Sequence, residues 1–220
     1  MCRGFDPLLR YQSTSKEFLA GFFIAFFQTI GYIAFGENNM NKILQILFLL
    51  ICSACSTQTT TEPEVFFSPS RKCEDGLIHL IEGADKTIDA AVYSINNKNL
   101  VNAIKKAHDR GIQIRILTDR TQAAGKSSKV KELHDYGINI RTHSKYKIEH
   151  NKFAVFDGKQ ASTGSYNWTT PATKKNSENC VFFTNDEAVI QDYQKRFDYL
   201  WRVNTKKASD TWFDKHQSSN

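Results

Sequence analysis

Residues 86–117 read KTIDAAVYSINNKNLVNAIKKAHDRGIQIRIL, and the spacing of the apolar residues changes twice within them. Lys86 to Tyr93 is rich in Ile, Ala and Val, the composition of a strand buried in a sheet. From Leu100 to His108 the apolar residues fall at 100, 101, 104 and 107, one face of a helix, and Gly111 follows as its stop. Ile112 to Leu117 returns to a short, largely apolar strand. Strand, helix and strand in this order predict an α/β fold: a mixed β-sheet with helices packed on its faces.

The same alternation extends outward on both sides. Glu64 to Phe67 reads as a strand and Cys73 to Glu82 as a helix; Lys129 to Tyr136 reads as a helix and Ile138 to Arg141 as a strand. A last helix is expected over Glu187 to Trp201, with Val189, Ile190, Tyr193, Phe197, Leu200 and Trp201 on its buried side. The folded domain is therefore placed at residues 64–202, after a linker at 56–63, and residues 203–220 read as a polar, frayed tail. A chain of 220 residues, 40% hydrophobic and 24% charged with four prolines, excludes a disordered, collagen-like or disulfide-dense protein.

Residues 1–55 have a different character. Phe18 to Phe35 is uncharged and 18 residues long, just enough to cross a bilayer as a helix. From Met40, a short basic start (Asn41, Lys42), an apolar middle (ILQILFLLI) and small residues up to Cys55 have the parts of a secretory signal peptide. Its end resembles the lipobox of bacterial lipoproteins, with Ser53 and Ala54 ahead of Cys55, the residue that would carry lipid, and Cys52 where that pattern usually has Leu. The two readings are a signal peptide with lipid anchor, in which case residues 1–39 precede the translated start, and a hairpin of two membrane helices. Both place the domain in the cell envelope, exported or tethered. A redox role for Cys52 and Cys55 is rejected, because no strand and helix flank them. Removing residues 1–55 leaves 25 basic and 20 acidic side chains, so the net +5 of the domain, from +6 in the whole chain, favours a polyanionic partner. Of the remaining cysteines, Cys73 and Cys180, the plain reading is two buried thiols; the alternative is a pair in an oxidising compartment.

The chemistry concentrates in residues 150–179, HNKFAVFDGKQASTGSYNWTTPATKKNSEN. His150 and Lys152 are two apart, so on a strand they share a face, while Asp157, an odd number of residues from His150, points the other way and reads as structural. Ser165 and Asn167 share a face behind Gly164, which lets the backbone approach closely. Imidazole, ammonium, hydroxyl and amide without clustered carboxylates suit an anion, phosphate above all, held with no metal and no cofactor.

This pattern resembles the phospholipase D superfamily, whose motif HxKxxxxD followed by GSxN is matched without a mismatch by His150, Lys152, Asp157, Gly164, Ser165 and Asn167. The resemblance covers about residues 64–202. GSYNWTT followed by NSEN is similar to the single-motif branch, which includes bacterial Nuc endonucleases and the mitochondrial cardiolipin hydrolase or Zucchini type, and it places Glu178 where that branch has its characteristic acid. The resemblance implies a two-step transfer through a phosphohistidine, with a second His as acid and then base, and with Lys152 and Asn167 on the non-bridging oxygens. One motif per chain implies a homodimer with a shared active site, the second His150 coming from the other subunit and Glu178 orienting it. Ser165 either takes part or shapes the turn. Trp168 and Tyr166 either pack or line a substrate groove, and Lys145, Lys147, Lys174 and Lys175 flank the motif where they could grip a polyanion. His143 with Lys145 lacks the pattern and reads as a solvated strand end.

Three functions are compatible with these residues. The first is a nuclease on DNA or RNA, the second a phospholipase D or cardiolipin hydrolase acting on membrane phospholipid, and the third an inactive nucleic-acid-binding module, against which the intact His150 and Lys152 argue.

Overall fold

The computed structural model describes residues 62–217; the stretch Phe18 to Phe35, the pattern starting at Met40 and Cys55 lie outside them. The elements run β1 (Glu64–Ser68), α1 (Lys72–Gly83), β2 (Thr87–Val92), α2 (Lys98–Asp109), β3 (Gln113–Thr118), α3 (Arg120–Ala123), α4 (Val130–Asp135), β4 (Asn139–Thr142), β5 (Lys152–Phe156), β6 (Gln160–Gly164), α5 (Thr170–Lys174), β7 (Glu178–Phe183), α6 (Glu187–Val203) and α7 (Lys206–Gln217). Seven strands form one sheet in the order β1-β7-β6-β5-β2-β3-β4. β2, β3 and β4 are parallel and joined by helical crossovers, whereas β5, β6, β7 and β1 pair antiparallel, so β2 is the seam between the two halves. The mixed sheet expected from residues 86–117 is present, with boundaries within two residues of those read from periodicity.

Alternation along the central strands divides the core into two layers. Ile88, Ala90 and Val92 of β2, with Ala154 and Phe156 of β5, face the large cluster built with α1, α2 and α4. Ala91 and Phe153 face the other way, against Phe197, Leu200 and Trp201 of α6, and Val155 packs on the same side against Ile190. Asp89 shares that second face. Its buried carboxylate takes both Nε and Nη2 of Arg115, each at 2.7 Å, and Gln194 Nε2 at 2.8 Å, so the charge is fully met by donors.

Two expectations are corrected here. Residues 203–217 are not a frayed tail: Lys206–Gln217 form α7. Ser209, Trp212, Phe213 and His216 recur at helical spacing; Phe213 is buried in the large cluster and stacks on His134 with ring centroids 3.7 Å apart, and Ser209 Oγ accepts from Thr142 N. A short apolar stripe among many charges concealed this helix. Cys73 and Cys180 are not free thiols but a disulfide, with Cα atoms 5.9 Å apart and a sequence separation of 107. Closing a loop of that length limits the unfolded chain by about 4 to 5 kcal/mol in the chain-entropy view. The bridge pins α1 to β7, one residue beyond Asn179.

Asp157 closes the turn after β5. It takes a left-handed φ of 55°, which Asp tolerates better than most residues. Its carboxylate accepts from the backbone N–H groups of Asp85 (2.9 Å), Lys86 (2.8 Å) and Thr87 (2.8 Å), tying β5 to the start of β2. Burial pushes its pKa up, but the three N–H donors more than offset this and the carboxyl sits below its ordinary 3.8. A depressed folded value means that this contribution is present above the unfolded pKa and is lost as pH falls through the folded one. Asp157→Asn leaves one of the three N–H groups without its acceptor and should lower unfolding stability by about 1–3 kcal/mol in urea titrations. Turnover per folded molecule should change little; a folded but inert protein would assign Asp157 to the chemistry instead.

Candidate active site

Apart from Asp157, which lies at the opposite end, the motif residues collect at one end of the sheet. β2 ends there at Val92, β5 begins at Lys152, β6 ends at Gly164 and β7 begins at Glu178. Lys152 pairs with Val92 across the seam, and extending the β5–β6 register brings it beside Gly164. The crevice outside the carboxyl ends of parallel strands, here β2 and β3, is where open α/β sheets expose functional groups.

His150 is exposed, just before β5, and its ring lies against Tyr93 with centroids 4.5 Å apart at 60°. Lys152 Nζ donates to His150 O at 2.6 Å and lies 4.9 Å from the centre of the Tyr93 ring. One tyrosine thus supports both the imidazole and the ammonium. Burial lowers the Lys152 pKa, Glu178 and Glu149 pull it back up, and the net direction is downward. Glu149, buried at 1% exposure, accepts from Asn151 Nδ2 at 2.6 Å, and its own N–H donates to buried Asp119 at 3.2 Å. These bonds fix the turn that delivers His150.

On the opposite side Gly164 takes a φ of 144°, and a Cβ there would collide with the carbonyl of Asn179. Only glycine allows β6 to lie this close to β7. The carbonyl of Asn179 then accepts from both Ser165 N (3.1 Å) and Tyr166 N (3.2 Å). Ser165 Oγ donates to Glu178 Oε2 at 2.6 Å and accepts from Asn179 N at 3.0 Å, while Asn176 Nδ2 donates to Glu178 Oε1 at 2.9 Å. The carboxylate is held by a donor on each oxygen, with lone pairs to spare. Asn167 Oδ1 is buried with no hydrogen-bond partner among the described residues. An orphaned buried acceptor costs about 1–3 kcal/mol, and it is the Nδ2 of the same amide that can donate to an anion.

The structure thus brings His150, Lys152, Ser165 and Glu178 to the same end of the sheet as Asn167. Trp168, named above as a candidate for a substrate groove, is corrected: it is 2% exposed, packs in the large core cluster and pairs through its backbone with Ile95. Tyr166 is buried as well, its hydroxyl 2.6 Å from Thr173 Oγ1, and burial pushes its pKa up to about 12. His143 is no solvated strand end; it is 2% exposed, with Arg120 N donating to Nδ1 at 3.1 Å and Nε2 3.2 Å from Lys147 O. Lys145 and Lys147 are exposed, as are Lys174 and Lys175, and none has a carboxylate partner among the described residues. Sequence reasoning missed Tyr93, Glu149, Asn176 and Asn179. The signal for Tyr93 was its place at the carboxyl end of an apolar strand ahead of the polar run SINN.

A family model described as "Cardiolipin synthase, PLD-like domain" matches residues 77–201, more than half of the chain. The chain belongs to the phospholipase D superfamily. Its motif and relatives place it in the single-motif branch. Curated relatives of this phospholipase D superfamily member include a mitochondrial cardiolipin hydrolase of Xenopus tropicalis, 31% identical over 66% of this chain and 72% of the relative. A phospholipase D of Rickettsia typhi is 31% identical over 66% of this chain and 68% of its own. Among solved structures, Nuc of Salmonella typhimurium, a phospholipase D family member, superposes with a TM-score of 0.61 at 28% identity, over 66% of this chain and 97% of Nuc. The protein is a phosphodiesterase.

Proposed function

We propose that this phosphodiesterase is an endonuclease on DNA or RNA that works as a twofold dimer without metal. The observation that carries the reading is a site with one imidazole, open to solvent, together with four exposed lysines close to the motif in sequence, Lys145, Lys147, Lys174 and Lys175, which have no carboxylate partner among the described residues. Phosphate oxygens need such cations, and a two-step transfer needs a second imidazole that one chain lacks. A nitrogen of His150 attacks phosphorus, the bond to the leaving oxygen breaks, and the imidazolium of the partner subunit's His150 gives that oxygen a proton. Water then loses a proton to the same imidazole and attacks phosphorus; the P–N bond breaks and returns its electron pair to His150. Lys152 and the amide of Asn167 face the non-bridging oxygens, and Glu178, held by Ser165 and Asn176, has lone pairs left to orient the partner imidazole. The donor set is imidazole, ammonium and amide, and no group of three or more His, Cys, Asp or Glu side chains with ligand spacing occurs among the described residues.

The test is cleavage of plasmid and of RNA by the full-length protein, beside hydrolysis of phosphatidylcholine–cardiolipin vesicles. Nucleic acid should be cut, less so as salt rises, and a chelator should leave activity nearly intact. Complete loss on chelation, restored by added metal, would remove the mechanism. Lipid products without any cut strand would favour the second reading, a phospholipase, which the names of the curated relatives and exposed Ile148 beside His150 support.

The domain is further proposed to work outside the cytoplasm, in the bacterial envelope, held there by lipid on Cys55 or by the Phe18 to Phe35 segment. The Cys73–Cys180 disulfide supports this, since such bonds persist in oxidising compartments. Cys55→Ser should move the protein from the membrane fraction to the soluble one; an unchanged distribution would favour the apolar segment as anchor.

A further inference from the structure

Beside the motif, the loop that leads into His150 and the outer face of α6 meet in an aromatic and cationic cluster that the two-step transfer does not use. Tyr146 and Tyr199 touch through their hydroxyls at 3.4 Å. The Arg196 guanidinium lies 5.8 Å from the centre of the Tyr146 ring and 5.4 Å from that of Tyr199, and Arg202 lies 5.7 Å from Tyr199. Tyr146 is 39% exposed, and both arginines are exposed with no carboxylate partner among the described residues. Arg115 of β3, which packs under α6 against the Phe197 ring, is instead tied to Asp89 and Asp198. The exposed pair is therefore not committed to internal charges.

We infer that Tyr146, Tyr199, Arg196 and Arg202 form a stacking platform for unpaired bases of a nucleic-acid strand whose phosphate is held at His150. The inference rests on the nuclease reading and adds to it the part of the substrate that lies beyond the scissile phosphate. Tyr146 is four residues from His150, a span of at most about 14 Å along the chain, so a strand on the motif passes within a few nucleotides of the platform. Exposed aromatic rings interleaved with guanidinium groups suit single strands, because every base has a face to stack and every step has a phosphate to pair. A duplex hides its base faces and gains only the phosphate contacts. A lipid surface fits less well. Among the described residues Ile148 is the one large aliphatic side chain exposed beside the cluster, worth about 3 kcal/mol at most if fully buried, and the tyrosine hydroxyls are bonded to each other.

The experiment compares kcat/KM of the full-length protein and the Tyr146→Ala/Tyr199→Ala variant on a single-stranded oligothymidylate, its duplex with oligoadenylate, and bis(4-nitrophenyl) phosphate. The single-strand value should fall about tenfold more than the value for the small diester, the preference for single strand over duplex should shrink, and Tyr146→Phe/Tyr199→Phe should restore it. Equal losses on all three substrates, or no loss on the single strand, would overturn the platform while leaving the nuclease reading intact. A wild-type protein that hydrolyses the small diester but neither oligonucleotide would overturn the nuclease reading itself. Loss of binding to phosphatidylcholine–cardiolipin vesicles by the alanine variant, with oligonucleotide cleavage unchanged, would assign the patch to lipid and overturn the inference.

Discussion

Lys152→Ala should lower kcat by about 10²–10³ while the protein stays folded, the loss seen when one preorganised donor is taken from a site where charge develops. The side chain is the first residue of β5, partly buried, and its ammonium is held by His150 O and the face of Tyr93. Alanine removes no core volume at this position, because Phe153, Ala154, Val155 and Phe156 supply the packing of the strand. Stability should therefore stay within about 1 kcal/mol of wild type. Steady-state kinetics with a circular dichroism melt beside them check both halves. Near-normal turnover would end the assignment of Lys152 to the phosphate. The downward pKa direction adds a pH signature. Activity that needs the ammonium should fade on the alkaline side at a lower pH than an ordinary lysine, with 10.5 as its usual value, would allow.

His150→Ala should abolish cleavage, and the mixed dimer carries more information than the mutant alone. If, as proposed, one active centre takes His150 from both subunits, a dimer with one altered chain keeps either the nucleophile or the acid and base, never both, and should be nearly inactive. Equal amounts of the two chains, assembled at random, leave about a quarter of the dimers fully wild type and activity near 25% at equal total protein. Independent sites would give about half. Co-expression with two tags, and native mass spectrometry to confirm chain exchange, make the two outcomes distinct. A value near half with exchange confirmed would separate the phosphodiesterase chemistry from the shared site.

Local pattern carried most of the fold. Elements with a strong period, such as Leu100 to His108 and Glu187 to Trp201, are those where one face meets the sheet and the other meets water, so burial is written into the spacing. The parts that escaped are set by distance rather than spacing. The pairing of Cys73 with Cys180 depends on β7 lying beside β1 and against α1, which no local pattern states. Trp168 looked available because its neighbours are polar, yet the bridge to Ile95 turns its side chain inward. In the site, His150, Lys152 and Asn167 were legible because the motif requires their residue types at fixed offsets. Tyr93 and Glu149 belong to the site only through tertiary placement, one across the β2–β5 seam and one through its backbone N–H, which donates to the buried carboxylate of Asp119.

The disulfide also changes how cleavage of the chain would look. Cys73 lies in the first helix and Cys180 in the last strand, so every residue proposed for the chemistry, and the exposed loop at 144–148, falls on the segment between them. A protease that nicks that loop leaves two fragments joined through sulfur, which migrate as one species until a reductant parts them. Integrity judged on an unreduced gel would therefore pass a population in which the turn delivering His150 had already been cut.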